Sequence, residues 1–176
     1  MTTRHTALLL LVALLAALPA WGKGTYLSEA AFLRQAFAGE PPPPRVLWLA
    51  GPLKEQVRRV LGHPYGRLRV RYWLRGPRSA WILEEIGKER PITIGFAVEG
   101  GRIALARVLV FRESRGDEIR HPAFTRQFHG AGLRGEALDR PIDGITGATL
   151  SVRAMRRLAR LALVLDRAVR QAPPAP

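Results

Sequence analysis

Residues 143–151 read Asp-Gly-Ile-Thr-Gly-Ala-Thr-Leu-Ser, which places two glycines, Gly144 and Gly147, and three hydroxyls, on Thr146, Thr149 and Ser151, directly before a strongly helical run. Glycine lets the backbone turn tightly and approach a ligand closely. The first amides of a helix point outward without intrahelical partners, with the positive end of the helix dipole behind them. The chemistry on offer is anion binding, a phosphate above all; the rival reading is a plain loop and cap. A threonine hydroxyl has little nucleophilicity at neutral pH, and nothing else in the chain supplies a base to activate it. His5, His63, His121 and His129 lack ligand spacing such as His-x-x-x-His. The acidic pairs Glu84-Glu85 and Asp117-Glu118 are adjacent, so on a strand they face opposite ways and cannot share a proton. The chain has no cysteine, which excludes disulfides, thiolate nucleophiles and Cys-ligated zinc or iron–sulfur centres. Redox chemistry here requires a bound cofactor.

The wording of the loop is more specific than its glycines. Asp143-Gly144-Ile145-Thr146-Gly147-Ala148-Thr149 resembles the flavinylation motif of the FMN-binding domain family, an Asp, two variable positions, Ser or Thr, then Gly-Ala-Thr. The resemblance extends upstream through Pro91 to Val98, Gly101-Arg102-Ile103, Phe111 to Ile119 and Phe124 to Gly130, in the family's order, covering about residues 90 to 160. It implies FMN as the cofactor, esterified through its phosphate to Thr149 by a separate flavin transferase that uses FAD and a divalent metal. It also places the Glu-x-x-Gly loop, here Glu113 and Gly116, near the flavin, and gives Asp143 a role in transferase action where the alternative is an Asx turn that shapes the loop. The sequence departs from the larger members at Ser114, Arg115 and Asp117, and at Val152, where relatives often carry Ser or Thr. Those members include the flavinylated subunits of sodium-translocating NADH:quinone reductase and of the Rnf complex.

These residues need elements to position them. Ser28 followed by Glu29 to Phe37 predicts a capped helix, and Pro41 to Pro44 an extended connector. Pro52 to Leu61 predicts a second helix closed by Gly62. Beyond it, Leu68, Val70, Tyr72 and Leu74 alternate with Arg67, Arg69, Arg71 and Trp73, the pattern of a strand with one buried face. Residues 79–86 predict another strand, and residues 92–98 and 103–111 a hairpin around Glu99-Gly100-Gly101-Arg102. A short helix over 122–128 and a long one over about 150–170 complete an α+β fold on an antiparallel meander. On the last helix Met155, Leu158, Leu161, Ala162 and Leu165 can face the sheet. Arg153, Arg156, Arg157 and Arg160 share the other side and read as a solvated face, with Arg153 also near enough to the loop to neutralise a phosphate. Phe111, Phe128, Tyr72, Trp73 and Trp81 are candidates for core or for the border of a flavin ring.

At 176 residues and 47% hydrophobic content the chain has the length and apolar content of one domain. Arg4 and the apolar run from Ala7 to Ala20 read as an export signal over residues 1–22, or a short membrane anchor. The run spans only about 22 Å as a helix against a hydrocarbon core of about 30 Å. The expected layout is that segment, an FMN-binding domain over 23–170 and a disordered Pro-rich tail over 171–176. The net charge of +14 is dispersed and accompanies no nucleic-acid motif, so it points to anionic lipid or an acidic redox partner rather than to nucleic acid. The expected function is that of an exported electron carrier in the periplasm, served by a flavin transferase and by a redox partner protein that is soluble or membrane-associated. The alternatives are a periplasmic FMN-dependent reductase of a small molecule and an assembly subunit with a vestigial loop.

Overall fold

Five strands in chain order, β1 (Arg45–Trp48), β2 (Arg69–Arg75), β3 (Arg78–Ile86), β4 (Pro91–Glu99) and β5 (Arg102–Phe111), make one antiparallel sheet ordered β1-β2-β3-β4-β5. The computed structural model describes residues 24–171. The segment read as an export signal and residues 172–176 of the expected tail lie outside the described residues, while Gln171, expected in that tail, is the last residue of the final helix. The chain enters along the free edge of β5, where the Gly24 carbonyl accepts from Phe111 N at 2.7 Å and Leu109 O accepts from Tyr26 N at 2.8 Å.

Residues opposite one another across the strands alternate between two covered faces. Tyr72, Trp81, Phe96 and Ala106 form one row, and Trp73, Ala80, Ala97 and Leu105 the next. The first faces the long helix α4 (Thr149–Gln171) and α2 (Gly51–Leu61); the second faces α1 (Glu29–Phe37), whose Phe32, Leu33, Ala36 and Phe37 are buried with Trp73 and Leu109. The single buried face expected for β2 is corrected accordingly. Leu68 precedes the strand and is 69% exposed, while Trp73, expected outside, is 4% exposed. Alternation reveals that a strand has two faces, but whether the second is covered depends on a helix distant in sequence.

Local signals place the helices as expected. Ser28 caps α1 by accepting from Ala31 N at 3.1 Å, and Gly62 closes α2 with φ +80°. Strand β1 was not anticipated: four residues after the prolines carry too short a pattern to read, and as an edge strand it is largely exposed. The segment expected as one short helix is a single turn, α3 (Pro122–Thr125), followed by a 3₁₀ turn at Arg126–Phe128. Its Phe128 meets Phe96 and Phe124 edge to face at 6.4 and 5.6 Å.

Helix α4 seats Met155, Leu158, Leu161, Ala162 and Leu165, all fully buried, on the sheet. Burial of such side chains contributes roughly 1.5–3 kcal/mol each for the larger ones. A buried polar relay fixes the far end. Trp81 Nε1 donates to Ser79 Oγ (2.8 Å), Ser79 Oγ donates to Asp166 Oδ1 (2.6 Å), and Arg170 Nε donates to both Asp166 oxygens at 3.0 Å. Arg170 also reaches the carbonyls of Gly76 and Pro77 in the β2–β3 turn. Asp166→Ala strands a hydroxyl and a guanidinium at this joint, and urea titration is expected to show a loss of about 2–4 kcal/mol. Asp166→Asn, which keeps one acceptor, is expected to lose less.

Candidate functional site

The loop before α4 is built around a turn in which Ala148 N donates to Ile145 O at 3.0 Å, and Gly147 takes φ +83°. That conformation suits glycine, so the residue expected to permit a tight turn does so. The helix then begins at Thr149. Its first bonded amide is that of Val152, donating to Ala148 O at 2.9 Å, so the amides of Thr149, Leu150 and Ser151 find no acceptor among the described residues. Alanine at the position before the helix has no side chain to cap them. A helix start left open in this way suits an anion.

The structure separates the three hydroxyls. Ser151 is buried, at 4% exposure, whereas Thr146 and Thr149 are exposed and neither side chain makes a hydrogen bond among the described residues. Thr149 alone of the three lines a cavity of about 700 Å³ between the loop and α4. Gly144 also lines it; Asp143, Thr146, Gly147 and Ala148 lie in the loop but do not line the cavity. Ala148 is buried against the core, and Val152, where relatives place a hydroxyl, is buried too. Asp143 is exposed. Its amide donates to Gln127 Oε1 at 2.7 Å, but its carboxylate makes no hydrogen bond among the described residues, so it does not form an Asx turn.

The cavity is basic. Arg140, Arg153, Arg156, Arg157 and Arg160 line it together with Leu138, Ile142, Ile145 and Val152, and no carboxylate does. Four of these arginines were expected to form a solvated face. Instead they flank the cavity that holds Thr149, and Arg156, Arg157 and Arg160 are only partly exposed. Arg156 donates to the Ile142 carbonyl, fixing the loop, while its buried Nε has no partner. Burial, reinforced by the charge of Arg157, pulls the Arg160 guanidinium below its ordinary pKa against the opposing pull of Glu136. Spacing at i, i+3, i+4 and i+7 was the available signal; that the loop folds back over this stripe was not.

The Glu113–Gly116 loop meets the site through Gly116, which is buried, has φ +91°, and packs against the start of α4. A Cβ there would stand 2.5 Å from Ser151 Oγ and 3.5 Å from Ala148 Cβ. Glu113 is engaged elsewhere: its Oε1 accepts from the amides of Lys88, Glu89 and Arg90 at 2.5, 2.7 and 2.9 Å, closing the β3–β4 turn. Desolvation raises its pKa, but the three amides and the charge of Lys88 outweigh that and hold it below the ordinary carboxylate value. The candidate aromatics are core. Trp81 and Phe128 are fully buried, Phe111 and Trp73 nearly so, Tyr72 stacks on Trp81 at 5.1 Å, and none of the five lines this cavity.

Residues 87–164, from the β3–β4 turn into α4, match the FMN-binding domain family. This segment belongs to that family. Its cofactor is FMN, and the chain is an FMN-binding protein. No curated protein matches the chain. The site suits the group: FMN joins a phosphate to a large flat ring, and here an open helix start and unpaired guanidinium nitrogen stand beside apolar walls. Thr149, the amides of residues 149–151 and Arg153 would hold the phosphate.

Two measurements probe the FMN-binding domain's loops. Gly116→Ala meets both the strained φ and the Ser151 hydroxyl, so a loss of about 1–3 kcal/mol is expected on denaturation; Ser151→Ala in the same chain should recover the part due to the clash. For Glu113, a depressed folded pKa means stabilisation present above the unfolded value near 4.3 and lost as pH falls through the folded value. Glu113→Gln should therefore cost no more than about 1 kcal/mol at neutral pH, with the difference from the parent closing below about pH 4 in pH-dependent melts.

Proposed function

We propose that this protein is an exported electron carrier whose FMN is esterified through its phosphate to the Thr149 hydroxyl. The observation that carries the reading is the position of Thr149: an exposed hydroxyl, without a hydrogen bond among the described residues, at the first residue of α4 and opening onto an arginine-lined cavity. The bound flavin supplies the one- and two-electron chemistry that the side chains lack. The protein's part is to hold the phosphate, orient the ring and set the surrounding charge.

Ester formation requires removal of the Thr149 proton, and no histidine or carboxylate lines the cavity to take it. That absence supports maturation by a flavin transferase bringing its own base, with the exposed Asp143 as part of the surface it engages. The segment before the domain supports export, and a covalent link suits an exported carrier because a dissociated cofactor would be lost. Its electrons would pass to a redox partner protein at the membrane, steered by the basic surface. Among the described residues no helix is long and apolar enough to cross a membrane.

Thr149→Val keeps the shape and deletes the acceptor. After co-expression with a flavin transferase, the parent chain is expected to gain the mass of esterified FMN and to fluoresce on a denaturing gel, and Thr149→Val to do neither. Flavin retained by the denatured variant would refute Thr149 as the acceptor. Asp143→Ala is expected to lower occupancy by intact mass while shifting the melting temperature little, because the carboxylate holds no bond in the fold.

A further inference from the structure

Helix α1 closes only part of the sheet face on which it lies. It packs over Trp73, Ala80 and Ala97. Farther along the same face, Ile82, Glu84, Thr93 and Val110 line an open cleft of about 870 Å³. The rim of this cleft is cationic and apolar together. Arg67, Arg69, Arg71 and Arg112 line it against two carboxylates, Glu29 and Glu84. Glu29 answers Arg71, and Glu84 answers Arg67 and Arg112. Arg69 has no carboxylate partner among the described residues and lies over the Trp48 ring at 5.7 Å. The most exposed large apolar side chains of the described residues gather here: Leu68 (69%) and Trp48 (60%) line the cleft, and Val46 and Ile86 stand on the same sheet face. Apolar surface concentrated in this way and rimmed by polar groups marks an interaction surface.

We propose that this face docks on an anionic lipid bilayer, with Trp48 and Leu68 entering the headgroup boundary and the rim arginines meeting lipid phosphates. An indole ring has an apolar body and one polar edge, which suits it to the boundary between water and hydrocarbon. Arginine suits the same place, since its stem covers apolar surface while its guanidinium stays with phosphate. The course of the chain selects a bilayer over an acidic protein. Thr25 lines the cleft, and the apolar run from Ala7 to Ala20 ends four residues before Gly24, with Trp21 and Lys23 in the interval. Four extended residues reach about 14 Å. Wherever that run meets a membrane, the cleft is therefore held beside it. The surface shares no lining residue with the cavity at Thr149, so the proposal stands apart from how FMN is held. Docking by this face leaves the α4 side of the sheet open to a partner.

The chain has no cysteine, so a single introduced one carries an environment-sensitive fluorophore at a known place. In the full chain, Leu68→Cys labels the cleft and Glu55→Cys labels the exposed side of α2, across the sheet. Each is mixed with vesicles of phosphatidylcholine alone or of phosphatidylcholine with phosphatidylglycerol, and shielding of the label from acrylamide is read. The expected result is shielding at position 68 and none at position 55, on the anionic vesicles only. Arg69→Gln should lower the ratio of shielded to free label about fivefold, the effect of one arginine at such a surface. Trp48→Ala should lower it as well, and so should high salt. Melting temperatures establish that the variants are folded; should Trp48→Ala fail there, Arg69→Gln still decides. Position 68 left free on anionic vesicles, or both positions shielded alike, would overturn the proposal, as would equal shielding on neutral vesicles. Shielding at position 68 before vesicles are added would overturn it too. If that shielding rises with protein concentration the occupant is a second copy, and if it does not the occupant is the chain's own segment 1–23.

Discussion

The seating of α4 on the sheet is the constraint on which the site depends. One helix carries the apolar stripe that closes the main core, the residue at which the loop ends, and the arginines of the cavity. Met155 and Leu158 face the sheet, Thr149 and Arg153 face the loop, and the 3.6-residue period sets the angle between them. The Ser79–Asp166–Arg170 relay fixes the far end, so the open amides at the near end stand at a defined height above the strands. A buried carboxylate of this kind adds little net stability against an apolar replacement, but it strongly penalises any arrangement that separates it from its partners.

Charge is distributed in two ways within one basic chain. Away from the cavity, several arginines answer carboxylates in exposed pairs that contribute little each. At the cavity Arg140 pairs with Asp139, while Arg153, Arg156, Arg157 and Arg160 have no carboxylate partner among the described residues. Crowded guanidiniums without a counter-charge are costly in a partly desolvated setting, and a fold keeps such an arrangement where a ligand completes it. An FMN phosphate would offer the negative charge, and its ring a flat surface for the apolar walls.

The loops around the helix start divide the work. Gly116 brings one loop against Ser151 and Ala148, so the start of α4 is braced from that side. The Ile142 carbonyl and the Asp143 amide are tied to Arg156 and Gln127, which brace it from the other. Thr149 stands between them with its hydroxyl unengaged. Glu113, joined to Gly116 in the motif, serves the β3–β4 turn and shapes the site through the backbone it secures.

Local and periodic features were legible in the chain itself. The Ser28 cap, the Gly62 stop, the hairpin around Gly100-Gly101 and the apolar stripe of α4 each arise from interactions within a few residues or one face of one element, which sequence spacing records directly. So was the turn before α4, where Gly147 takes the positive φ that glycine suits. Contacts between distant segments were decided by the tertiary structure. Trp73 is buried because α1, some forty residues earlier, lies across the second face of the sheet; Glu113 is bound by amides more than twenty residues away. The arginines of α4 line a cavity because residues 137–145 fold back over them. Spacing along a helix states which side chains share a face, but only the fold states what that face meets, and that turned an apparently solvated stripe into the wall of the candidate flavin site.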